Sequence, residues 1–504
     1  MTNSTRRAAY KFAGKDRIHI TTTHRQGFAM NRLILSITVA AVLVSCALPM
    51  QAMEPALKEK LAAVLDSMQR TMKVKSLSAA VRSGNTTWAG ARGLSGAFDS
   101  VTTNSIYLIG STVKTITSSC ILQLADEQKL SLDDSIGRYL DPIEFIDPKI
   151  TIRQLLRHQS GLFDILSNTS FQPTMLANRS TVFDAEDLVV AFIQKPQFAP
   201  GAGWAYCNTN YFLLGMIIKK ITGNPFYTEF RNRYFDPLGL GSFVIPAFEK
   251  RPAQPVAHVW FDLNGDGTQE DAHDFYYNWL SLNSAAGAAG GYYATASNVA
   301  EWMQKSMRGD LYSAAMQQQA RTTVPSSGLP GSTYGLGLMK RDFLGITGYG
   351  HPGDLSYSSS AWYFPRIDVS ISVLMNDSRQ SLNSWSLVPV VTALLKAYND
   401  VVPLSVDGEE QPAAMPSVSL NAYPNPADGD LTVTLDLPRN PARVEIVLSD
   451  IIGSEILRTS TTGANQGINV FTLPLGGGIP RGLYVVTAVV DGLPVQSIRI
   501  IKES

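Results

Sequence analysis

Ile106-Tyr-Leu-Ile-Gly-Ser-Thr-Val-Lys114 is the stretch on which the fold turns. An apolar run stops just before Ser111, and a lysine follows three residues later. The pattern from about Ser111 to Glu127 is helical, and positions i and i+3 of a helix share one face. The Ser111 hydroxyl and the Lys114 ammonium are therefore expected within hydrogen-bond reach. Free backbone N–H groups at a helix start point at the same place. A hydroxyl is a poor nucleophile until a base takes its proton. A partly buried lysine with a lowered pKa is such a base. Ser–x–x–Lys occurs once in the chain; taken alone, it also fits a surface Ser and Lys.

Two further patterns lie downstream. Tyr206-Cys-Asn208 follows Pro200-Gly-Ala-Gly-Trp-Ala and precedes an apolar helical run, Tyr211–Ile221, closed by Thr222-Gly223. Tyr–x–Asn recurs at 276–278 and 423–425, so context distinguishes this copy. A tyrosine hydroxyl near Lys114 can relay a proton to a leaving group, and the Asn208 amide can hold a substrate carbonyl. A turn tyrosine and a capping asparagine are the plainer alternative. His351-Pro-Gly353 is the one His–x–Gly in the chain. Glycine beside a strand lets another backbone approach, and histidine can add a hydrogen bond or positive charge to the site wall. A lone loop histidine would be the default for such a residue by itself.

The order Ser–x–x–Lys, Tyr–x–Asn, His–x–Gly resembles the β-lactamase-like family, which includes class C β-lactamases, D-alanyl-D-alanine carboxypeptidases and related esterases. Gln154-Leu-Leu-Arg-His-Gln-Ser-Gly-Leu162, Asn208–Gly215, Ala289-Gly-Gly-Tyr-Tyr-Ala-Thr295 and Gly350–Gly353 are similar to recurring stretches of that family. The resemblance spans roughly residues 54–400. It implies an α+β fold of the penicillin-binding transpeptidase type, an antiparallel sheet flanked by helices plus a helical subdomain. It also implies a mechanism. Ser111 becomes acylated, Lys114 and Tyr206 manage protons, and either could be the base. Asn208, His351 and Gly353 line the substrate site. The backbone N–H groups of Ser111 and Asp354 form the oxyanion hole. Neither a metal nor an organic cofactor is required. His351 stands where class C β-lactamases have lysine, which shifts weight toward peptidase or esterase. Asp354 puts a carboxylate beside the oxyanion donor and disfavours an anionic substrate tail. Pro352 removes one strand N–H.

The coarse pattern around these motifs agrees. Residues 54–75 read as an amphipathic helix with Leu57, Leu61, Val64, Leu65 and Met68 on one face. Ser76–Arg92 reads as a hairpin turning at Gly84-Asn85. Helices are expected at Thr151–Arg157, Ala296–Lys305 (capped by Ser297) and Leu387–Tyr398, and strands at Tyr334–Met339, Ser360–Phe364 and Val369–Met375. Strands at both ends of this region predict one sheet built from both. Residues 401–416 read as a linker. Residues 417–504 read as a small all-β sandwich, with strands at 431–435, 444–448 and 484–490. Tyr423-Pro-Asn-Pro-Ala427, Asp450-Ile-Ile-Gly453 and Gly482-Leu-Tyr-Val485 resemble the sorting domain of type IX secretion cargo in Bacteroidetes-type bacteria. The implied partner is that export machinery.

At the other end, Met30-Asn-Arg and the apolar run from Leu33 to Leu48, ending at Ala52, read as a signal peptide over 30–52. Residues 1–29 are then an upstream extension or a mis-assigned start. Leu43-Val-Ser-Cys46 resembles a lipobox, which would make an outer-membrane lipoprotein; cleavage after Ala52 to a secreted or surface protein is favoured. The 504 residues carry 42 basic and 42 acidic side chains, a balance that gives no support for a nucleic-acid partner. Three cysteines, Cys46, Cys120 and Cys207, lack metal-ligand spacing, and Cys120 and Cys207 read as buried free thiols. Asp262-Leu-Asn-Gly-Asp-Gly267 looks like half a calcium loop, yet His273 stands where the last acid belongs, so it reads as a hairpin turn. The expected substrate is a small molecule or peptide: a peptidoglycan-type peptide, a β-lactam or an ester. The rival functions are a penicillin-binding sensor that acylates without turnover and an inert surface module.

Overall fold

The computed structural model describes residues 53–250, 254–266, 268–327, 329, 331–378, 383–402, 419–437, 443–450, 455–476, 478–490 and 493–502. The expected signal peptide, Cys46, nearly all of the linker and Ile451–Gly453 lie outside them.

Helix α1 (Pro55–Met72) buries Leu57, Leu61 and Leu65, the stripe that helical periodicity demands. It ends at Lys73 in the left-handed region, φ 53°. Strands β1 (Ser76–Ser83) and β2 (Thr86–Gly93) form the expected hairpin, with Gly84 at φ 54° making the turn. They join the C-terminal strands of this region. β3 (Val324–Pro325), β4 (Ser332–Tyr334), β5 (Met339–Phe343), β6 (Ile346–Leu355), β7 (Tyr357–Phe364) and β8 (Val369–Met375) complete one antiparallel sheet in the order β2-β1-β8-β7-β6-β5-β4-β3. Leu77 of β1 pairs with Met375 of β8, which joins the two ends of the region.

All seven residues of β8 are buried, and their alternation sorts the layers. Val369, Ile371, Val373 and Met375 share a core with α1 and with Val390, Leu394 and Leu395 of the C-terminal helix Val388–Asn399. The Ser370 and Ser372 hydroxyls face the other way and donate to the carbonyls of Ala300 and Ala296. Those carbonyls belong to the helix Ala296–Arg308, which buries Trp302 and Met303. The helical region lies between β2 and β3 in sequence. Its central members are α2 (Lys114–Asp126), α3 (Ile152–Leu156), α4 (Thr209–Thr222) and α5 (Leu280–Gly290).

Three local expectations change. The run 334–339 is not one strand: β4 stops at Tyr334, Gly335–Leu338 turn with Gly337 at φ 74°, and β5 starts at Met339. The cap of the Ala296 helix is Thr295, whose side chain accepts from the Asn298 N–H, rather than Ser297. His351-Pro-Gly353 lies inside β6, not in a loop beside a strand. Pro352 is tolerated there because β5 covers β6 only as far as Gly350, leaving an edge beyond it.

Cys120 and Cys207 are free and buried. Asp262–Thr268 connects the paired segments Trp260–Phe261 and Glu270–Asp271, and Asp262 Oδ1 accepts from the Gly265 and Asp266 N–H groups. That is hairpin-turn chemistry, as read from the sequence. No helix among the described residues is long and apolar enough to cross a membrane.

The C-terminal segment is all β. β9 (Ser419–Tyr423), β10 (Leu431–Leu437) and β13 (Gly467–Leu473) form a three-stranded sheet. β11 (Val444–Asp450), β12 (Glu455–Thr461), β14 (Gly482–Val490) and β15 (Leu493–Lys502) form a four-stranded one. Leu431, Val433 and Leu435 meet Val444, Ile446, Leu448 and Val486 in its own core, the inward alternation of a sandwich.

Candidate active site

Ser111 enters the helix on a 3₁₀ turn, Gly110–Val113, before α2 proper begins at Lys114. Gly110 is at φ 50°, a conformation that side chains resist. Added side-chain bulk there would meet the Asp354 backbone nitrogen at 2.8 Å. Across the gap, a Cβ on Gly353 would meet Ile109 O at 2.2 Å and the Ser111 nitrogen at 2.7 Å. The Ser111 turn and β6 thus touch backbone to backbone, and only glycine at both positions allows it. The Ser359 hydroxyl donates to Ile109 O at 2.7 Å, and the Thr112 hydroxyl to His351 O at 3.0 Å. These bonds stitch the turn to the sheet and bring the Ser111 and Asp354 amides side by side.

Lys114 is fully buried. Its Nζ donates to Ser111 Oγ at 2.9 Å, Asn208 Oδ1 at 2.8 Å and Ala289 O at 2.9 Å. It also stands 5.0 Å from the centre of the Tyr206 ring. Burial depresses its pKa to about 7, and Asp164 opposes part of the shift. Near neutrality the amine is therefore shared between a charged form, which fills all three acceptors, and a neutral form with a lone pair for the Ser111 proton.

Asn208 ends the loop before α4. Its Nδ2 donates to Asp164 Oδ2 at 2.8 Å, and its backbone N–H reaches the same oxygen at 3.2 Å. The carboxylate and the ammonium fix the amide's orientation between them, since a flip would set acceptor on acceptor and donor on donor. One N–H of Asn208 remains for a ligand, while its oxygen belongs to Lys114. Asp164 was not singled out in the sequence, although it lies just past the Gln154–Leu162 stretch. Its role is visible only once α3 and α4 are packed.

Tyr206 is oriented toward Ser111, and burial pushes its phenol well up from 10. Its hydroxyl makes no hydrogen bond of normal geometry. Cys207 is buried too, and its thiol is pushed up to about 12, so it serves as neutral packing. Asp354 is exposed. Its Oδ1 accepts from the Ser358 hydroxyl and the Ser384 N–H, both at 2.8 Å, and its Oδ2 from the Ser384 hydroxyl.

His351 departs from its expected place on the site wall. The residue is 1% exposed, and both ring nitrogens are engaged inside the protein, with Tyr334 Oη and the Pro352 carbonyl. Burial, with Lys114 nearby, lowers its pKa to about 3. A neutral ring with no nitrogen left over supplies neither charge nor a substrate bond. Ser111, Lys114, Tyr206, Asn208, Gly353 and Asp354 do come together. A cavity of about 550 Å³ lined by Phe183, Phe212, Phe226 and Phe248 does not include Ser111.

Comparison with known proteins fits this arrangement. A family model described as Beta-lactamase matches residues 61–384, and one described as Secretion system C-terminal sorting domain matches residues 421–503. Penicillin-binding protein 4 of Amycolatopsis lactamdurans is 26% identical over 275 residues, 50% of this chain and 67% of that protein. Teichoic acid D-alanine hydrolase of Staphylococcus aureus is 29% identical over 141 residues, 28% of this chain but only 32% of that protein. The solved structure of a D-stereospecific amidohydrolase from Streptomyces sp. is 30% identical with a TM-score of 0.55, covering 64% of this chain and 94% of that one.

Proposed function

This chain belongs to the Beta-lactamase family of serine hydrolases, and we propose that it cleaves amide or ester bonds through an acyl-enzyme on Ser111. The reading rests above all on one observation: a fully buried Lys114 amine 2.9 Å from Ser111 Oγ, with a pKa near neutrality. Neutral Lys114 takes the hydroxyl proton as Ser111 Oγ bonds to the substrate carbonyl carbon. The carbonyl oxygen becomes an oxyanion facing the Ser111 and Asp354 N–H groups. Tyr206 keeps its proton at neutral pH because burial disfavours the phenolate. It relays a proton from Lys114 to the departing amine or alcohol, and the C–N or C–O bond breaks. Water then attacks the ester carbon as Lys114 takes its proton, the bond from that carbon to Ser111 Oγ breaks, Lys114 returns the proton to Oγ, and the free acid leaves.

Substrate choice follows from charge. The exposed Asp354 carboxylate beside the oxyanion site repels an anionic tail and suits neutral or cationic substrates. D-amino acid amides and D-alanyl esters carry a free ammonium; one similar protein is named a D-stereospecific amidohydrolase and another a teichoic acid D-alanine hydrolase. A β-lactam with its carboxylate is the poorer fit. The sorting-domain match over residues 421–503 indicates a secreted or cell-surface protein; we propose the type IX machinery as its export partner.

The test uses the full chain and its Ser111→Ala variant with D-phenylalanine amide, a D-alanyl ester, a p-nitrophenyl ester and nitrocefin. Turnover by the parent, none by the variant, and a trapped acyl mass on the Ser111 peptide are expected. Acylation without release on every substrate would favour a penicillin-binding sensor instead. No acylation and no turnover on any of them removes the proposal.

A further inference from the structure

Behind Tyr206 lies a buried chain of side chains that takes no direct part in the chemistry. His158 is 0% exposed and holds φ 58°, a left-handed conformation uncommon for a non-glycine residue. Its Nδ1 accepts from the Cys207 backbone N–H at 3.1 Å. Its Nε2 meets Tyr334 Oη at 3.1 Å, and Tyr334 Oη meets His351 Nε2 at 3.0 Å. His351 Nδ1 meets the Pro352 carbonyl.

The two ends set the direction of every bond. A backbone N–H can only donate, so His158 Nδ1 is the acceptor and its proton sits on Nε2. A carbonyl can only accept, so His351 carries its proton on Nδ1 and offers a lone pair at Nε2. Tyr334 then accepts from His158 and donates to His351. Phenolic hydroxyl does both at once, which phenylalanine cannot. The direction of the chain needs both rings neutral, and burial beside Lys114 pushes both imidazoles down from 6.5.

The chain spans the cleft. One end holds the loop Trp204–Asn208, also tied by the Ala205 N–H to His158 O at 3.1 Å. The other end is β6, where the Asp354 amide faces the nucleophile. Tyr206 needs such a support, because beyond its approach to Ser111 its hydroxyl makes no hydrogen bond of normal geometry. Ring packing adds to that support. The His158 ring lies beneath it with centroids 4.3 Å apart and planes at 33°, and Tyr334 meets it edge-on at 6.4 Å.

We infer that His158 and Tyr334 are positioning residues: with His351 they form a one-way hydrogen-bonded tether that sets Tyr206 against the oxyanion strand. The inference rests on the Ser111 acyl-enzyme reading for its kinetic consequence but not for its structural one. Two measurements therefore separate the failures. The first needs no substrate. In ¹⁵N-histidine-labelled full chain, long-range ¹⁵N–¹H correlation reads each tautomer. His158 protonated on Nε2 and His351 on Nδ1, both neutral at pH 6, are expected. The opposite tautomer at either ring, or an imidazolium there, overturns the tether.

The second measurement is the burst of a p-nitrophenyl ester with Tyr334→Phe. The acylation rate constant is expected to fall at least tenfold while apparent substrate affinity changes less than threefold. The His351 tautomer signal should become mixed. An unchanged acylation rate in a folded Tyr334→Phe protein overturns the positioning role even if the tautomers are as assigned. If the parent acylates nothing, the acyl-enzyme reading has failed, and the tautomer result still judges the tether.

Discussion

Asp164→Asn is the perturbation whose effect on the pH profile follows most directly from the geometry. Asp164 reaches Lys114 through one amide: 2.8 Å from Oδ2 to Asn208 Nδ2, then 2.8 Å from Asn208 Oδ1 to Nζ. Those lengths and the width of the amide put carboxylate and ammonium roughly 7 Å apart. At an effective dielectric near 20, the attraction is about 2 kcal/mol, or between one and two pH units of support for the charged amine. In the parent, acylation needs neutral Lys114, so kcat/KM should fall below a pH of about 7. Removing the negative charge disfavours the ammonium, so the acid limb should move downward by about one unit. The plateau should also drop, by about tenfold, because Asn208 is free to flip. The assay is kcat/KM for a p-nitrophenyl ester from pH 5 to 9. A limb that stays in place or moves upward refutes the electrostatic link. If activity instead falls on the alkaline side near pH 7, charged Lys114 is the working form and the base lies elsewhere.

Gly353→Ala would push a methyl group to 2.2 Å from Ile109 O and 2.7 Å from the Ser111 nitrogen. Strand β6 must retreat from the nucleophile, and loss of one oxyanion donor costs about 100-fold or more in kcat; a kcat within threefold of the parent contradicts the proposed hole. Lys114→Met tests the buried amine through stability. Between pH 7 and 10.5 the unfolded lysine holds a proton that the native one has lost. Parent stability should therefore rise with pH across that window, and the rise should vanish in the variant. Urea midpoints followed by tryptophan emission report this region, since all seven tryptophans lie between Trp88 and Trp385. Parallel midpoint curves for the two proteins would show that the amine is not strained by burial.

The sequence by itself determined the class of fold, the family and the local pairing of Ser111 with Lys114. Helical spacing put Ser111 and Lys114 on one face, because that pairing is local and needs no tertiary contact. Alternation in 369–375 and 431–435 marked strands whose inward faces had to be covered. The order of three short motifs named the family. Local turns were less legible: Gly335–Leu338 broke an apolar run that looked continuous, since strand and buried turn share the same composition. Tertiary structure decided which groups gather around Ser111. The imidazole of His351 looks like a site-wall group from the motif, yet β6 turns it inward to a tyrosine 17 residues earlier. Asp164 and His158 look like loop residues until α3, α4 and the sheet close around them. Hydrogen-bond direction and buried-charge energies depend on partners brought together from distant segments, and no local pattern encodes them. Ser111 and Lys114 could be read because their geometry is that of one helical turn; the tether behind Tyr206 could not, because its members meet only in the folded chain.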